Sequence, residues 1–231
     1  MVIPQVVRWH IYPDEAELAE TASSAILRIA NQAIAERGEY LIVLSGGKTP
    51  KAIYERLAES AADWTRWKIY FGDERCLPVD HPDRNSVMAA NAWLGRVTIP
   101  REQIFQIPAE RGSEAGAEAY QKILAGVGSF DLVLLGLGED GHTASLFPGH
   151  DWGEGAEEIS VLPVQGAPKP PGERVSLSAF RLSHARQVLV FASGAAKAPA
   201  VTAWRSGQNL PIAAVRAPTG VDALLTLDVW P

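Results

Sequence analysis

Asp131-Leu132-Val133-Leu134-Leu135-Gly136-Leu137-Gly138-Glu139-Asp140-Gly141-His142-Thr143-Ala144-Ser145-Leu146-Phe147-Pro148-Gly149 is the stretch whose reading decides the fold. Leu132 to Leu135 form an unbroken aliphatic run between Asp131 and Gly136. A strand with one wet face alternates polar and apolar residues. An unbroken run predicts a strand buried on both faces, in the middle of a parallel sheet. Gly136, Gly138 and Gly141 follow at once. Glycines there let the chain turn sharply and let a ligand approach the backbone. Glu139, Asp140 and His142 come next. Open α/β sheets hold ligands beyond the carboxyl ends of their strands. The stretch therefore delivers an imidazole to the place where such folds carry out chemistry.

Gly136-x-Gly138-x-x-Gly141 also matches the form of a dinucleotide-binding turn. Three features argue against that reading. Glu139 and Asp140 put negative charge where a pyrophosphate would sit, Pro148-Gly149 cuts short the helix that should follow, and the unit lies mid-chain. Composition alone leaves His142 open between a loop hydrogen bond and a general base.

Working outward, strands and helices alternate. Val6 to Tyr12, Tyr40 to Leu44, Trp67 to Phe71, Arg174 to Ser178, Val188 to Ala192 and Leu224 to Leu227 read as strands, and Ile104 to Ile107 as a short extended piece. Helices are predicted from Pro13-Asp14-Glu15 to Gly38, from Thr49 through Leu57, up to Leu94, over Glu114 to Leu124, and from Ser193 to near Gly207. Thr49 is the expected N-cap of the second helix, with Pro50 at its first position. Pro211 to Val215 fits a short helix or an extended piece. The stretch from Gly149 to Gly172 is rich in Gly, Pro and Glu and reads as a loop, with Ile159 to Val164 a possible strand. The alternation predicts a single α/β domain over residues 1–231, built on a doubly wound, mostly parallel sheet.

The chain has 231 residues, 47% hydrophobic and 21% charged, which suits a globular protein with a substantial core. The net charge is -6 and no run of Lys or Arg stands out, which argues against a nucleic-acid partner. An anionic ligand would have to be met by local cations, since the overall field repels it. Cys76 is the only cysteine, so no internal disulfide forms; a buried, inert thiol is expected. No leader segment is apparent and no apolar run approaches the ~20 residues of a membrane span. The expectation is a cytoplasmic protein without a membrane partner.

Three further places can carry chemistry. Ser45-Gly46-Gly47-Lys48-Thr49 puts backbone N–H groups, a helix amino end and Lys48 at one point, which favours an anion site over a plain turn. It is no nucleotide P-loop, because Ile42 stands where that pattern needs glycine. Asp73-Glu74-Arg75 places three charges at a strand's carboxyl end. Arg75 suits a phosphate, but a surface ion-pair cluster reads equally well. Lys197 lies where a helix amino end is expected, a place that disfavours cations unless an anion binds there. His10, His81, His150 and His184 form no spacing suited to zinc, and no Gly-x-Ser-x-Gly elbow occurs.

Ser45 to Pro50, Gly72 to Arg75 and Gly136 to Gly149, with Arg174 to Ser178 and Ser193 to Ala198, together resemble the 6-phosphogluconolactonase family. That family shares its fold with glucosamine-6-phosphate deaminases. The deaminases carry a Glu five residues after the loop histidine and a Tyr after the Asp-Glu pair; here Phe147 and Arg75 stand there, which favours the lactonase.

The resemblance implies a modified Rossmann-like domain of the sugar-phosphate isomerase/lactonase type. It implies hydrolysis of 6-phospho-D-glucono-1,5-lactone, a pentose phosphate pathway step, with His142 as general base. Asp140 and Asp73 match catalytic-site positions. Arg75 and Lys197 would meet the phosphate together with Ser45, Gly46, Gly47, Lys48 and Thr49. The implied partner is a sugar phosphate lactone, with no cofactor, metal, nucleic acid or membrane, and with the chain a monomer or weak homo-oligomer. A deaminase or a non-catalytic sugar-phosphate sensor are the alternatives; a sensor should carry a DNA-binding helix pair, for which the chain has no basic segment.

Overall fold

In a computed structural model of the chain, residues 5–155 and 159–230 are described. Their strands are β1 (Val7–Tyr12), β2 (Tyr40–Leu44), β3 (Trp67–Phe71), β4 (Asp73–Arg75), β5 (Ile104–Phe105), β6 (Phe130–Gly136), β7 (Val161–Val164), β8 (Arg174–Leu177), β9 (Ala185–Ala192) and β10 (Val221–Thr226). The helices are α1 (Glu15–Arg37), α2 (Lys48–Ala58), α3 (Asn85–Ala89), α4 (Ser113–Ile123), α5 (Ala179–Ser183), α6 (Ala198–Arg205) and α7 (Pro211–Ala214).

Seven strands form one parallel sheet in the order β1-β10-β9-β6-β2-β3-β5. The aliphatic run lies at its centre, and every residue of β6 before Gly136 is buried. From β2 the chain winds outward through β3 and β5; from β6 it winds the other way through β9 and β10. The adjacent carboxyl ends of β2 and β6 are thus a topological switch point, where loops diverge and leave a crevice. Ser45-Gly46-Gly47 leaves one of them and Leu137 to His142 the other.

Local chemistry sets the element ends. Asp14 caps α1 by accepting from Ala16 N and Glu17 N at 2.9 and 3.0 Å. Gly38 ends it in the left-handed region at φ 79°. The buried face of α1 carries Leu18, Ala22, Ile26, Ile29 and Ala33, a helical stripe laid on the sheet.

Several expectations need correction. α2 begins at Lys48 with Gly47 as its N-cap and no side-chain cap, not at Thr49 and Pro50. The Thr49 hydroxyl is drawn away to Ser193 Oγ at 2.8 Å, a tertiary partner that outcompetes capping. Lys197, by contrast, does stand at a helix amino end as expected: it closes the 3-10 turn Ala195–Lys197 and is the N-cap of α6. The last strand runs Val221–Thr226 rather than Leu224 to Leu227. Asp73-Glu74-Arg75 is no strand end but a strand, β4, in a second, antiparallel sheet of order β4-β8-β7. In the 149–172 stretch, β7 falls within the Ile159 to Val164 expected as extended, and residues 156–158 lie outside the described residues. Among the described residues no helix is long and apolar enough to cross a membrane.

Candidate active site

A cavity of about 360 Å³ opens over the switch point. It is lined by the β2 loop (Ser45, Gly46, Gly47), the β6 loop (Gly136 to Glu139, His142, Ala144), Asp73 and Arg75 of β4, and Arg174 of β8. Asn85, Lys169, Pro170 and Lys197 complete it. The second sheet explains the reach of β4 and β8. Its register sets Arg75 opposite Arg174 and Asp73 opposite Ser176, so both arginines come to one wall.

His142 is held from its own loop. Gly138 N donates to His142 O at 2.8 Å and Gly141 N to Gly138 O at 3.0 Å, closing the turn. The Thr143 hydroxyl donates to Gly136 O at 2.8 Å and ties the loop back to the end of β6. His142 Nδ1 lies 2.5 Å from Asp140 Oδ1, and that oxygen also accepts from His142 N at 3.2 Å. A carboxylate on Nδ1–H leaves Nε2 as the lone-pair nitrogen. The Phe147 ring packs 4.8 Å from the imidazole.

Burial pulls the His142 pKa below its ordinary value, and Asp140 restores only part of the loss. The ring is therefore neutral near pH 7. Burial also presses the Asp140 carboxyl upward, but the hydrogen bond and charge of His142 outweigh it and hold the group ionised. Ala144 takes φ 47°, the one positive-φ non-glycine among the described residues.

Asp73 is 5% exposed. Ser145 Oγ donates to its Oδ2 at 2.6 Å and Asn85 Nδ2 to its Oδ1 at 3.0 Å, so the carboxylate is hydrogen-bonded and, among the described residues, makes no ion pair. Gly46 is glycine because a Cβ there would fall 2.0 Å from Asn85 Oδ1. Burial lowers the Lys197 pKa despite the charges of Glu139 and Glu15. Arg75 donates from Nη1 to Asp83 O. Gly47 leads directly into α2, whose uncapped first-turn N–H groups form a ready anion site.

Of the residues singled out in the sequence, Ser45, Gly46, Gly47, Asp73, Arg75, His142 and Lys197 meet at this cavity, with Asp140 bonded behind His142. Lys48 and Thr49 do not line it: Lys48 is exposed and Thr49 is buried on Ser193. Asn85, Lys169 and Arg174 do, and sequence reasoning missed them. A proline-rich loop and a strand pairing with residues a hundred positions away leave no local signal. Among the described residues no group of His, Cys, Asp and Glu is placed to hold a metal ion. Cys76 is half-buried, and burial pushes its thiol up to about 11, which makes it unreactive.

The profile of the glucosamine-6-phosphate isomerase/6-phosphogluconolactonase family matches residues 13–224. The chain is 41% identical over 191 residues to a 6-phosphogluconolactonase of Synechocystis sp., covering 78% of this chain and 77% of that one. It is 35% identical over 210 residues to a probable chloroplastic 6-phosphogluconolactonase of rice, covering 83% of this chain. It spans only 63% of the rice protein's length. The crystal structure of a 6-phosphogluconolactonase from Thermotoga maritima superposes with a TM-score of 0.87 at 26% identity, over 96% of this chain and all of that one.

Proposed function

The chain belongs to the glucosamine-6-phosphate isomerase/6-phosphogluconolactonase family, and from that membership we propose that it is a hydrolase opening 6-phospho-D-glucono-1,5-lactone to 6-phosphogluconate. The observation that carries the reading is the shared cavity: a neutral imidazole oriented by Asp140 lines the same space as Arg75, Lys197 and the amino end of α2. Phe147 at the place of the deaminase Glu removes a group suited to moving a C2 proton.

Arg75, Lys197 and the β2 loop bind the phosphate, whose binding energy fixes C1 near His142. Water adds to C1 while His142 Nε2 takes its proton. The tetrahedral oxyanion collapses, the bond between C1 and the ring oxygen breaks, and His142 returns the proton to that oxygen. The new carboxylic acid gives its own proton to solvent. Asp140 holds the tautomer and offsets the imidazolium charge. Asp73, fixed by Ser145 and Asn85, accepts a substrate hydroxyl. We further propose that residues 1–231 act as one domain, in the cytosol, with a sugar phosphate lactone as partner and as a monomer or weak homo-oligomer.

The test is the rate of acid release from freshly made lactone, with and without the protein, corrected for spontaneous opening. His142→Gln should lose about 10²–10⁴-fold in kcat while keeping its affinity for 6-phosphogluconate. No acceleration by the folded wild-type protein, or ammonia release from glucosamine 6-phosphate instead, overturns the reading.

A further inference from the structure

We propose that Lys169 is a catalytic residue of this cavity, its ammonium stabilising the charge that grows on the carbonyl oxygen as water adds to C1. The proposal rests on the lactonase reading and adds to it the donor for the oxyanion. No bond to Lys169 forms or breaks.

Four cationic side chains line the cavity: Arg75, Lys169, Arg174 and Lys197. Arg75 and Lys197 are assigned to the phosphate, and Arg174 is engaged with backbone. Arg174 spends its fork on backbone, with Nε on Pro171 O at 3.2 Å and Nη2 on Lys169 O and Pro170 O at 3.0 and 3.1 Å. Its guanidinium also sits 5.5 Å from the centre of the Phe147 ring. Arg75 is bonded to Asp83 O, and Lys197 lies in the field of Glu139 and Glu15. The Lys169 ammonium makes no hydrogen bond or ion pair among the described residues.

Its position singles it out. Lys169 lines the same cavity as His142, and its positive charge favours the neutral ring. It shares that space with Arg75 and Lys197, so one cavity holds the base, the phosphate cations and this free ammonium. The other charges that bear on His142 are the carboxylates of Asp140 and Asp73. An oxyanion forming beside two carboxylates is disfavoured unless a cation meets it, and Lys169 is the cation at hand.

Arg174 then acquires a purpose. By binding three consecutive carbonyls it pins the Lys169 to Pro171 backbone to β8, which is paired to β4 and so to Arg75. The strap is fixed while the lysine stem, solvent-exposed, stays free to follow the reacting oxygen.

Steady-state kinetics of Lys169→Met decide the point; the residue is exposed, so the variant should fold. Removing an oxyanion donor costs about 10²–10³ in kcat at a buried site, and exposure reduces the expected loss here to about 10- to 100-fold. KM should change by less than about threefold, and Lys169→Arg should recover most of the rate. The acid limb of kcat should move to higher pH, because His142 keeps its proton more readily without the neighbouring cation. Asp140, Asp73 and Phe147, the other groups against the ring, are unaltered in the variant. An unchanged kcat, or a rise in KM alone, overturns the assignment. If the wild-type protein fails to open the lactone, the lactonase reading falls on its own. The NMR titration of the His142 ring in wild type and Lys169→Met still reports on this proposal, and identical curves would sink it.

Discussion

A Cβ built on Gly138 falls 2.0 Å from Nδ1 of His142 and 2.1 Å from its Cε1. The same carbon would lie 2.7 Å from Asp140 Oδ1. The imidazole thus occupies the space that any other residue at 138 would fill. Gly138→Ala must push the ring off its carboxylate, and a displacement near 1 Å can cost about 10²-fold in rate. The expected result is a folded protein with kcat down by about that factor and near-normal affinity for 6-phosphogluconate. Turnover equal to wild type would mean that the ring position does not matter.

Asp140 makes a second prediction, in which the sign is informative. Burial lowers the His142 pKa and Asp140 partly raises it again. Asp140→Asn removes the raising partner, so the acid limb of kcat should shift further down. The rate should nevertheless fall by a share of the ~10²–10⁴ that a general base supplies, because an amide can favour the wrong tautomer. Stability follows the same linkage. The folded His142 pKa lies below the ordinary 6.5, so stability falls as pH drops from that value through the lowered one. A kcat–pH profile of Asp140→Asn whose acid limb moves upward would contradict this account.

Much of this was legible in residues whose environment is local. β2 and β3 match the expected Tyr40 to Leu44 and Trp67 to Phe71 at both ends, because burial on both faces leaves a continuous apolar run. The Gly136 to His142 turn announced itself through its glycines. β4 did not, since three charged residues do not read as a strand; its pairing with β8 is set by residues a hundred positions away. Thr49 looked like a helix cap until its hydroxyl found Ser193 across the fold. Lys169 sits in a proline-rich loop, closed by Ala167 N on Gly172 O and tied to β8 by the Arg174 bonds, and neither is visible in the local sequence.

Arg75 and Lys48 should behave oppositely, although both looked suited to a phosphate. Arg75 lines the cavity and Lys48 does not. A hydrogen bond to a charged group is worth about 1.5–3 kcal/mol, so Arg75→Ala should raise KM by about 10- to 100-fold. Lys48 is exposed, so Lys48→Ala should leave KM within about twofold. Steady-state KM for the two variants separates the roles, and equal effects would move the phosphate site toward the first turn of α2.

Glu74 carries a prediction about stability rather than catalysis. Its side chain is 1% exposed and that of Arg84 is 0% exposed, with Nε and Oε2 3.4 Å apart. Glu74 Oε1 accepts from Asn85 N at 2.8 Å and Arg75 N at 2.9 Å, and Oε2 from Ser86 N at 2.8 Å. One buried carboxylate thus satisfies the amino end of α3 and fixes the backbone of Arg75. Glu74→Ala strands three N–H groups and leaves Arg84 with Glu110 as its remaining carboxylate, at 3.1 Å. Breaking a buried pair by removing one partner costs about 3–5 kcal/mol. Glu74→Gln keeps an acceptor and should lose less, about 1–3 kcal/mol. Urea unfolding of the two variants against wild type reads the difference directly. A Glu74→Ala midpoint equal to that of wild type would mean that water satisfies these N–H groups, and that β4 is held by its pairing with β8 alone.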